Sequence, residues 1–169
     1  QTFTIRIHGL AARQDVIAIV RGGAATAAGE EGFAQQMAAR TAALLRRAAM
    51  PYTTVDDNFD TTAAAMELLI LPYSPKIATR QQLWLQKYVK KGGKIIVFYN
   101  SNQALAAALG IKLGSWQGVE LDNEWQAWET TSALGVAPPL VVSQRTTNII
   151  PPFPAATAGD QTRVQAYWL

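Results

Sequence analysis

Three short segments that are mostly apolar on both faces constrain this fold more than any other feature of the sequence. They are Val16–Val20, Glu67–Leu71 and Lys94–Tyr99. A strand that is apolar on both faces must be covered from both sides, which is typical of parallel sheets joined by helical crossovers. Helical segments separate the three strands. The sequence therefore predicts an α/β fold with a parallel sheet between two layers of helices.

The longest predicted helix spans Glu30–Ala49 and ends before Pro51. Its larger apolar side chains recur at helical spacing, from Phe33 and Met37 to Leu45. This stripe predicts that Phe33 and Met37 face the sheet. If they do, Phe33→Ala should cost about 3–5 kcal/mol through the cavity it leaves.

The next elements complete a flavodoxin-like three-layer sandwich. A short strand is predicted at Tyr52–Val55. A helix is predicted to open at Thr79 with a capping box to Gln82 and to end at Gly92. A short helix, capped by Asn100 or Ser101, should follow and end at Gly110. In this arrangement Val16–Val20, Glu67–Leu71 and Lys94–Tyr99 are central, parallel, and adjacent or nearly so.

The two ends of the chain carry weaker patterns. Phe3–Ile7 alternates like a half-buried strand. Beyond Leu113 the predicted elements are strands at Val119–Leu121, Leu140–Val142, Asn148–Ile150 and Arg163–Trp168, and a helix at Asp122–Thr130. We expect one domain over residues 1–169. We also expect it to be part of a longer natural protein, because the chain lacks an initial Met and stops on a strand.

Composition narrows the range of partners. Only 16% of the residues are charged and the net charge is +3, with the cations scattered along the chain. A nucleic-acid surface would cluster them, so no nucleic-acid partner is expected, and no apolar run is long enough for a membrane span. The chain has no cysteine. This excludes thiolate chemistry and fits an exported, extracytoplasmic protein, either periplasmic or secreted.

Ligands of open parallel sheets bind beyond the carboxyl ends of the strands. The turns Asp56–Asp57 and Pro72–Ser74 lie at such ends. The residues predicted to line the crevice for a ligand are Arg21, Gly22, Gly23, Tyr73, Tyr99, Asn100 and Ser101. Gly22 and Gly23 lack the spacing of a phosphate-binding loop and are better explained by a tight turn.

Other candidate residues favour structural explanations. His8 is the only histidine, and nothing places a nucleophile beside it, so a surface position is expected. The acidic residues Glu120–Glu129 are expected to form a solvated face. Trp116, Trp125 and Trp128 either pack internally or stack on sugar rings. No catalytic residue, metal site or cofactor is predicted.

Residues 68–113 resemble the class I glutamine amidotransferase fold. The matching segments are Leu69-Ile-Leu-Pro72, the helix from Thr79, and Ile96 to Gly110 with Gln103. Aligned in this way, the family's nucleophilic cysteine falls on Tyr99, its elbow glycine on Ser101, and its oxyanion glycines on Tyr73 and Ser74. The family's late histidine has no counterpart. The resemblance implies the fold without the activity.

A second resemblance is to the amidotransferase-like domains of bacterial glycoside hydrolases, including β-galactosidase trimerisation domains. It rests on the pattern Leu-x-x-Tyr-Val-x-x-Gly-Gly-Lys-x-x-Val-Phe at Leu85–Phe98. The segment from Arg21-Gly-Gly to Leu-Pro-Tyr73 resembles the region that precedes family-10-like glycosyl hydrolase domains. The resemblance covers Val16 to Leu113. It implies an accessory domain of a carbohydrate-active protein.

Three functional hypotheses follow. The first is a non-catalytic accessory domain that packs against another domain of its own chain or against a second copy, or that contacts a ligand. The second is a small-molecule or sugar-binding module that uses the crevice and the tryptophans. The third is an enzyme with Ser101 as an unorthodox nucleophile, which lacks a histidine to serve as its base.

Overall fold

The computed structural model describes residues 16–98 and 100–118, and the segments 127–130, 141–143, 148–150, 152–154 and 166–168. The chain divides into two compact units, residues 1–102 and 103–169. The prediction of a single domain over residues 1–169 stays a prediction. The predicted strands Phe3–Ile7 and Val119–Leu121 lie outside the described residues.

The first unit contains a four-stranded parallel sheet. Its strands are β1 (Ile17–Arg21), β2 (Thr53–Asp56), β3 (Leu68–Leu71) and β4 (Lys94–Val97). Their order across the sheet is β2-β1-β3-β4, and every neighbouring pair is parallel. This is the strand order of a flavodoxin-like fold. The predicted α/β class is confirmed, as are the adjacency and parallel pairing of β1, β3 and β4.

Helices fill the connections between these strands. They are α1 (Ala24–Ala27), α2 (Glu31–Arg47), α3 (Phe59–Thr62) and α4 (Thr79–Lys90). The chain moves one way along the sheet from β1 to β2, and the other way from β2 to β3 and β4. Because parallel crossovers are right-handed, the two directions place their helices on opposite faces of the sheet. The sheet is thus the middle of three layers.

The sheet carries the core of this unit. All of β3 is buried, and so is β1 apart from Arg21. Val16, Ile17, Leu68 and Ile70 form one cluster, against which Leu45 of α2 and Met50 and Tyr52 pack. Burial of such two-sided strands explains why their sequence lacks the alternation of a half-exposed strand.

The orientation predicted for α2 is wrong. Ala34 and Ala38 are its buried residues, whereas the side chain of Phe33 is 46% exposed and Met37 is only partly buried. The helix presents small side chains to the sheet, which lets its backbone approach closely. Of its larger side chains, Leu45 packs against the core cluster, whereas Phe33 and Leu44 are exposed. Phe33→Ala should therefore cost far less than a core substitution.

Strand β4 is not central among the described strands. It lies at the edge of the sheet, next to β3 only. Ile96 within this strand and Phe98 just after it are partly exposed. The apolar run Ile95–Phe98 nevertheless resembles a central strand in sequence, because its residues are apolar on both faces. Residue 99, the predicted end of this strand, lies outside the described residues.

The start of α4 differs from the predicted capping box at Thr79 and Gln82. Ala78 is the N-cap, and the Oε1 atom of Gln81 accepts a hydrogen bond of 3.2 Å from its backbone N–H. The side chain of Gln82 donates to the carbonyl of Ile77 instead, at 2.8 Å. Alanine has no side chain that can cap a helix. The side chain of Gln81 therefore makes the one side-chain hydrogen bond of this cap.

Helices α2 and α4 end in the same backbone arrangement, with a left-handed residue just beyond the helix. That residue is Ala49 after α2, at φ 52°, and Gly92 after α4, at φ 93°. In both cases the amide of the left-handed residue and the amide of the residue after it donate to carbonyl oxygens of the last helical turn, as in a Schellman motif. The predicted role of Gly92 as the residue that ends α4 is confirmed.

Substitutions at the two helix ends should change the free energy of unfolding in opposite directions. A left-handed conformation strains alanine but not glycine. We expect Ala49→Gly to raise the free energy of unfolding by about 0.5–1 kcal/mol, and Gly92→Ala to lower it by about 1 kcal/mol. Urea unfolding of both variants measures this. Two changes of the same sign would contradict the shared geometry.

The second unit is described in part. Its described residues form one helix, α5 (Gln103–Ala108), followed by short strands. The strands are β5 (Ile111–Leu113), β6 (Gln117–Gly118), β7 (Ala127–Thr130), β8 (Val141–Ser143), β9 (Asn148–Ile149), β10 (Pro152–Pro154) and β11 (Ala166–Trp168). They pair antiparallel as β10 with β5, β6 with β9, and β11-β7-β8.

The sequence predicted half of the eight described elements of this unit, missed β5, β6 and β10, and assigned β7 wrongly. Strands β8, β9 and β11 lie within or beside predicted strands, and Gly110 follows α5 with φ 74°. The predicted helix at Asp122–Thr130 is wrong for residues 127–130, which form β7. Pairing with β8 and β11 determines the structure of this segment, because strand preference depends on neighbours more than on intrinsic propensity.

Candidate functional site

The candidate site lies where the chain reverses its direction across the sheet. Strands β1 and β3 are neighbours in the sheet but are followed by connections that run to opposite sides. Such a switch point opens a crevice beyond the carboxyl ends of the strands. The loops that begin at Gly22 and at Pro72 border it, and the loop after β4 lies beside them.

Gly22 is required by close packing of the first of these loops. A Cβ atom at residue 22 would lie 2.6 Å from the Cβ of Ala34 and 3.1 Å from the carbonyl oxygen of Tyr73. The absent side chain lets α2 and the loop after β3 close upon the end of β1. The prediction that Gly22 and Gly23 allow a tight turn agrees with this arrangement.

Gly23 makes room for the carboxylate of Asp57. A Cβ at residue 23 would lie 2.7 Å from Oδ2 of Asp57. That oxygen accepts a hydrogen bond of 2.7 Å from the backbone N–H of Ala25, in the first turn of α1. The buried side chain of Gln81 donates to the backbone oxygen of Asp57. The carboxylate of Asp57 thus accepts the hydrogen bond from the helix-start amide that a bound anion would otherwise accept.

Arg21 and Asp56 end the neighbouring strands β1 and β2 and form an ion pair. Nη2 of Arg21 lies 2.6 Å from Oδ1 of Asp56. The two side chains are 57% and 68% exposed, so water screens their attraction and the pair adds about 0–1 kcal/mol. The pair leaves both groups accessible from the rim of the crevice.

Adjacent aspartates at residues 56 and 57 should respond differently to truncation. We expect Asp57→Ala to lower the free energy of unfolding by about 1–2 kcal/mol, because it removes a charged acceptor from the start of a helix. Asp56→Ala removes an exposed ion pair and should cost under about 1 kcal/mol. Chemical denaturation of the two variants compares them, and an equal loss would contradict a structural role for the Asp57 carboxylate.

Tyr73 joins the loop after β3 to the start of α2. Its hydroxyl donates a hydrogen bond of 2.9 Å to Oε2 of Glu30. Its ring meets the ring of Phe33 edge to face, with centroids 4.8 Å apart and an interplanar angle of 83°. Burial, and then the hydrogen bond and charge of Glu30, raise the pKa of the Tyr73 hydroxyl. The phenol therefore stays protonated and acts as a donor.

The loops after β3 and β4 are joined by an asparagine. Nδ2 of Asn100 donates to the backbone oxygen of Ser74 at 2.7 Å, and its Oδ1 accepts from the amide of Asn102 at 2.7 Å. Ser74 is fully buried, and its hydroxyl has no hydrogen-bond partner within the described structure. Ser101 is exposed between the two asparagines. The two hydrogen bonds of Asn100 therefore fix the loop after β4 relative to the loop after β3.

The structure brings several of the predicted site residues to the carboxyl ends of the parallel strands. Arg21, Gly22, Gly23, Tyr73, Asn100 and Ser101 all follow β1, β3 or β4. Tyr99 lies outside the described residues. The sequence analysis did not identify Glu30 and Phe33 as residues that lie near these strand ends. Their position could have indicated this, because a helix that follows a parallel strand begins near the carboxyl end of that strand, and Glu30 and Phe33 lie at the start of α2.

The described residues limit other kinds of site. They contain no cluster of three or more histidine, cysteine, aspartate or glutamate side chains suited to a metal ion. Within the same residues, no helix has both the length and the apolar character needed to cross a bilayer. His8, Glu120–Glu124 and Trp125 lie outside the described residues.

Comparison with known proteins returned no match among family models, curated proteins or solved structures. The class of the protein therefore rests on its strand order and crossovers, which define a flavodoxin-like α/β fold.

Proposed function

We propose that this chain is a non-catalytic accessory domain of a larger carbohydrate-active, glycosyl-hydrolase-like protein, where it serves packing, oligomerisation or ligand contact. One observation carries the proposal. The polar side chains at the strand ends are bonded within the chain: Asp57 accepts from the α1 backbone, Arg21 pairs with Asp56, Tyr73 donates to Glu30, and Asn100 donates to the backbone oxygen of Ser74. Groups used in this way support the fold.

The residue types at the aligned catalytic positions also support this proposal. The chain has no cysteine and a single histidine, at residue 8. Tyr73 and Ser74 occupy the aligned positions of the oxyanion glycines, and Ser74 is buried. A serine nucleophile at Ser101 would need a positioned base, and its nearest neighbours in sequence are two asparagines. Amidotransferase chemistry has no nucleophile–base pair to use.

Exposed apolar side chains support a contact role. Phe98 at the sheet edge is about half exposed and Leu44 on α2 is 63% exposed in the first unit, and Trp116 is 64% exposed in the second. Low charge and exposed aromatic residues are typical of surfaces that become buried in interfaces. The partner is then another domain of the same chain or a second copy. The resemblance to exported hydrolases favours an extracytoplasmic location, periplasmic or secreted.

The alternative is a small-molecule or sugar-binding module. The pairing of Phe33 with Tyr73 at the switch point favours it, since an exposed ring lies there beside polar groups. Both functions leave the chain without chemistry of its own. They differ in whether the surface at the strand ends meets a soluble ligand or another protein surface.

The natural reading frame around this sequence tests the proposal. We expect it to encode a hydrolase domain of the barrel type beyond residue 169. Deleting residues 1–169 should change the assembly mass in sedimentation but leave the catalytic residues in the remainder. A reading frame that encodes nothing further would overturn the proposal, and so would hydrolytic residues found only in residues 1–169.

A further inference from the structure

One corner of the first unit combines an exposed aromatic ring with unused hydrogen-bonding capacity. Phe33 is half-exposed, and its edge-to-face contact with Tyr73 fixes the orientation of the two rings. Oε2 of Glu30 accepts a hydrogen bond from Tyr73, while the residue itself remains exposed. A carboxylate has about four acceptor positions in all. Apolar and polar surface therefore meet at the switch point between β1 and β3.

The charged groups around this corner are mainly acidic. Arg21 is paired with Asp56, and Nζ of Lys76 donates to the carbonyl oxygen of Ala28 at 2.6 Å. Glu30, Glu31, Asp56 and Asp57 supply four negative charges against the two positive charges of Arg21 and Lys76. The amide that would attract an anion, that of Ala25, is already bonded to Asp57. An anionic ligand is therefore disfavoured at this surface.

From these groups we infer that Phe33, Tyr73 and Glu30 form a binding surface for a neutral carbohydrate. This inference rests on the proposed function and specifies the ligand that the accessory domain would contact. A pyranose ring has an apolar face of C–H groups, which suits the exposed ring of Phe33. Its hydroxyls donate to carboxylates, and adjacent hydroxyls match the two oxygens of Glu30 or the nitrogens of Arg21.

The alternatives fit this corner less well. A nucleotide or another phosphate would need free backbone amides at a strand end, and Asp57 takes the place of that anion. A purely apolar ligand would leave the carboxylate of Glu30 and the guanidinium of Arg21 partly desolvated without new partners. A ligand that is neutral, rich in hydroxyls and apolar on one face satisfies both the ring and the charged groups.

Calorimetric titration with neutral hexasaccharides tests the inference. The probes are cellohexaose, xylohexaose, mannohexaose and maltohexaose, with hexagalacturonic acid as the charged comparison. We expect at least one neutral probe to bind with Kd below about 1 mM. Phe33→Ala should weaken that binding by at least about tenfold, and Glu30→Gln by less. Leu44→Ala removes another exposed apolar side chain from α2 and should leave Kd unchanged.

Each result decides the inference. Failure of all four neutral probes to bind below about 1 mM would overturn it. Tighter binding of hexagalacturonic acid than of every neutral probe would do so as well, as would binding that Phe33→Ala leaves intact. Release of reducing ends in the same samples is a separate readout. Binding with hydrolysis would contradict the non-catalytic function but not the binding surface, whereas neither binding nor hydrolysis would contradict the binding surface alone.

Discussion

Replacing Phe59 by alanine should lower the free energy of unfolding by about 3–5 kcal/mol. The side chain of Phe59 is fully buried at the start of α3, and its ring meets Trp84 of α4 edge to face at 5.7 Å. Truncation would leave a cavity between these two helices that neighbouring side chains fill only in part. Equilibrium unfolding in urea, followed by circular dichroism, measures the loss.

Phe33→Ala is the matched control for this substitution, because it removes the same atoms from a half-exposed position. The variant should lose under about 1 kcal/mol, mainly through its contact with Tyr73. If Phe33→Ala costs as much as Phe59→Ala, then α2 faces the sheet as the apolar stripe of its sequence predicted. The orientation described here would in that case be wrong.

Gly22→Ala should be the next most damaging substitution, at roughly 2–3 kcal/mol. The new methyl group would lie 2.6 Å from the Cβ of Ala34, which is fixed to the backbone of α2. No rotamer change can relieve that overlap, so the helix or the end of β1 must move. The loss measures how closely α2 approaches the strand ends.

Gly32→Ala provides the opposite control on the same helix. A Cβ at residue 32 has nothing within 4 Å, and the residue lies in the first turn of α2. Alanine should therefore stabilise the helix by about 0.5–1 kcal/mol through the lower entropy of the unfolded chain. Thermal unfolding of the two variants should give shifts of opposite sign. A neutral Gly22→Ala would contradict the close packing at the candidate site.

The fold was predictable because its strands carry a strong and local signal. The apolar runs at Ile17–Val20 and Leu68–Leu71 have no polar face, and only a covered sheet accommodates them. Helix ends were partly predictable for the same reason. Gly92 and Gly110 adopt left-handed conformations that their residue type allows.

The errors arise where tertiary contacts outweigh local pattern. Alanine and phenylalanine both count as apolar, so the stripe on α2 could not show that the first half of this helix buries the small side chains Ala34 and Ala38 rather than Phe33. Trp128 and its neighbours pair with two strands distant in sequence. A helical spacing of tryptophans gave no sign of that pairing.

The candidate site was predictable in place but not in detail. The rule for open parallel sheets located it at the strand ends, where Arg21, Tyr73 and Asn100 lie. The hydrogen bond of Asp57 to the start of α1 depends on where β2 and α1 meet in space. The contact of Phe33 with Tyr73 depends on the rotation of α2. The spacing of residues in the sequence indicates neither where β2 and α1 meet nor how α2 is rotated.

Ammonia release from glutamine tests the absence of catalysis most directly. The wild-type chain should give no turnover above a buffer blank, because it has no cysteine and no histidine after residue 8 to take the place of the family's late histidine. Tyr99→Cys restores only the aligned nucleophile and should remain inactive, since a nucleophile without its base retains little activity. Turnover by the wild-type chain that Tyr99→Phe abolishes would contradict the account.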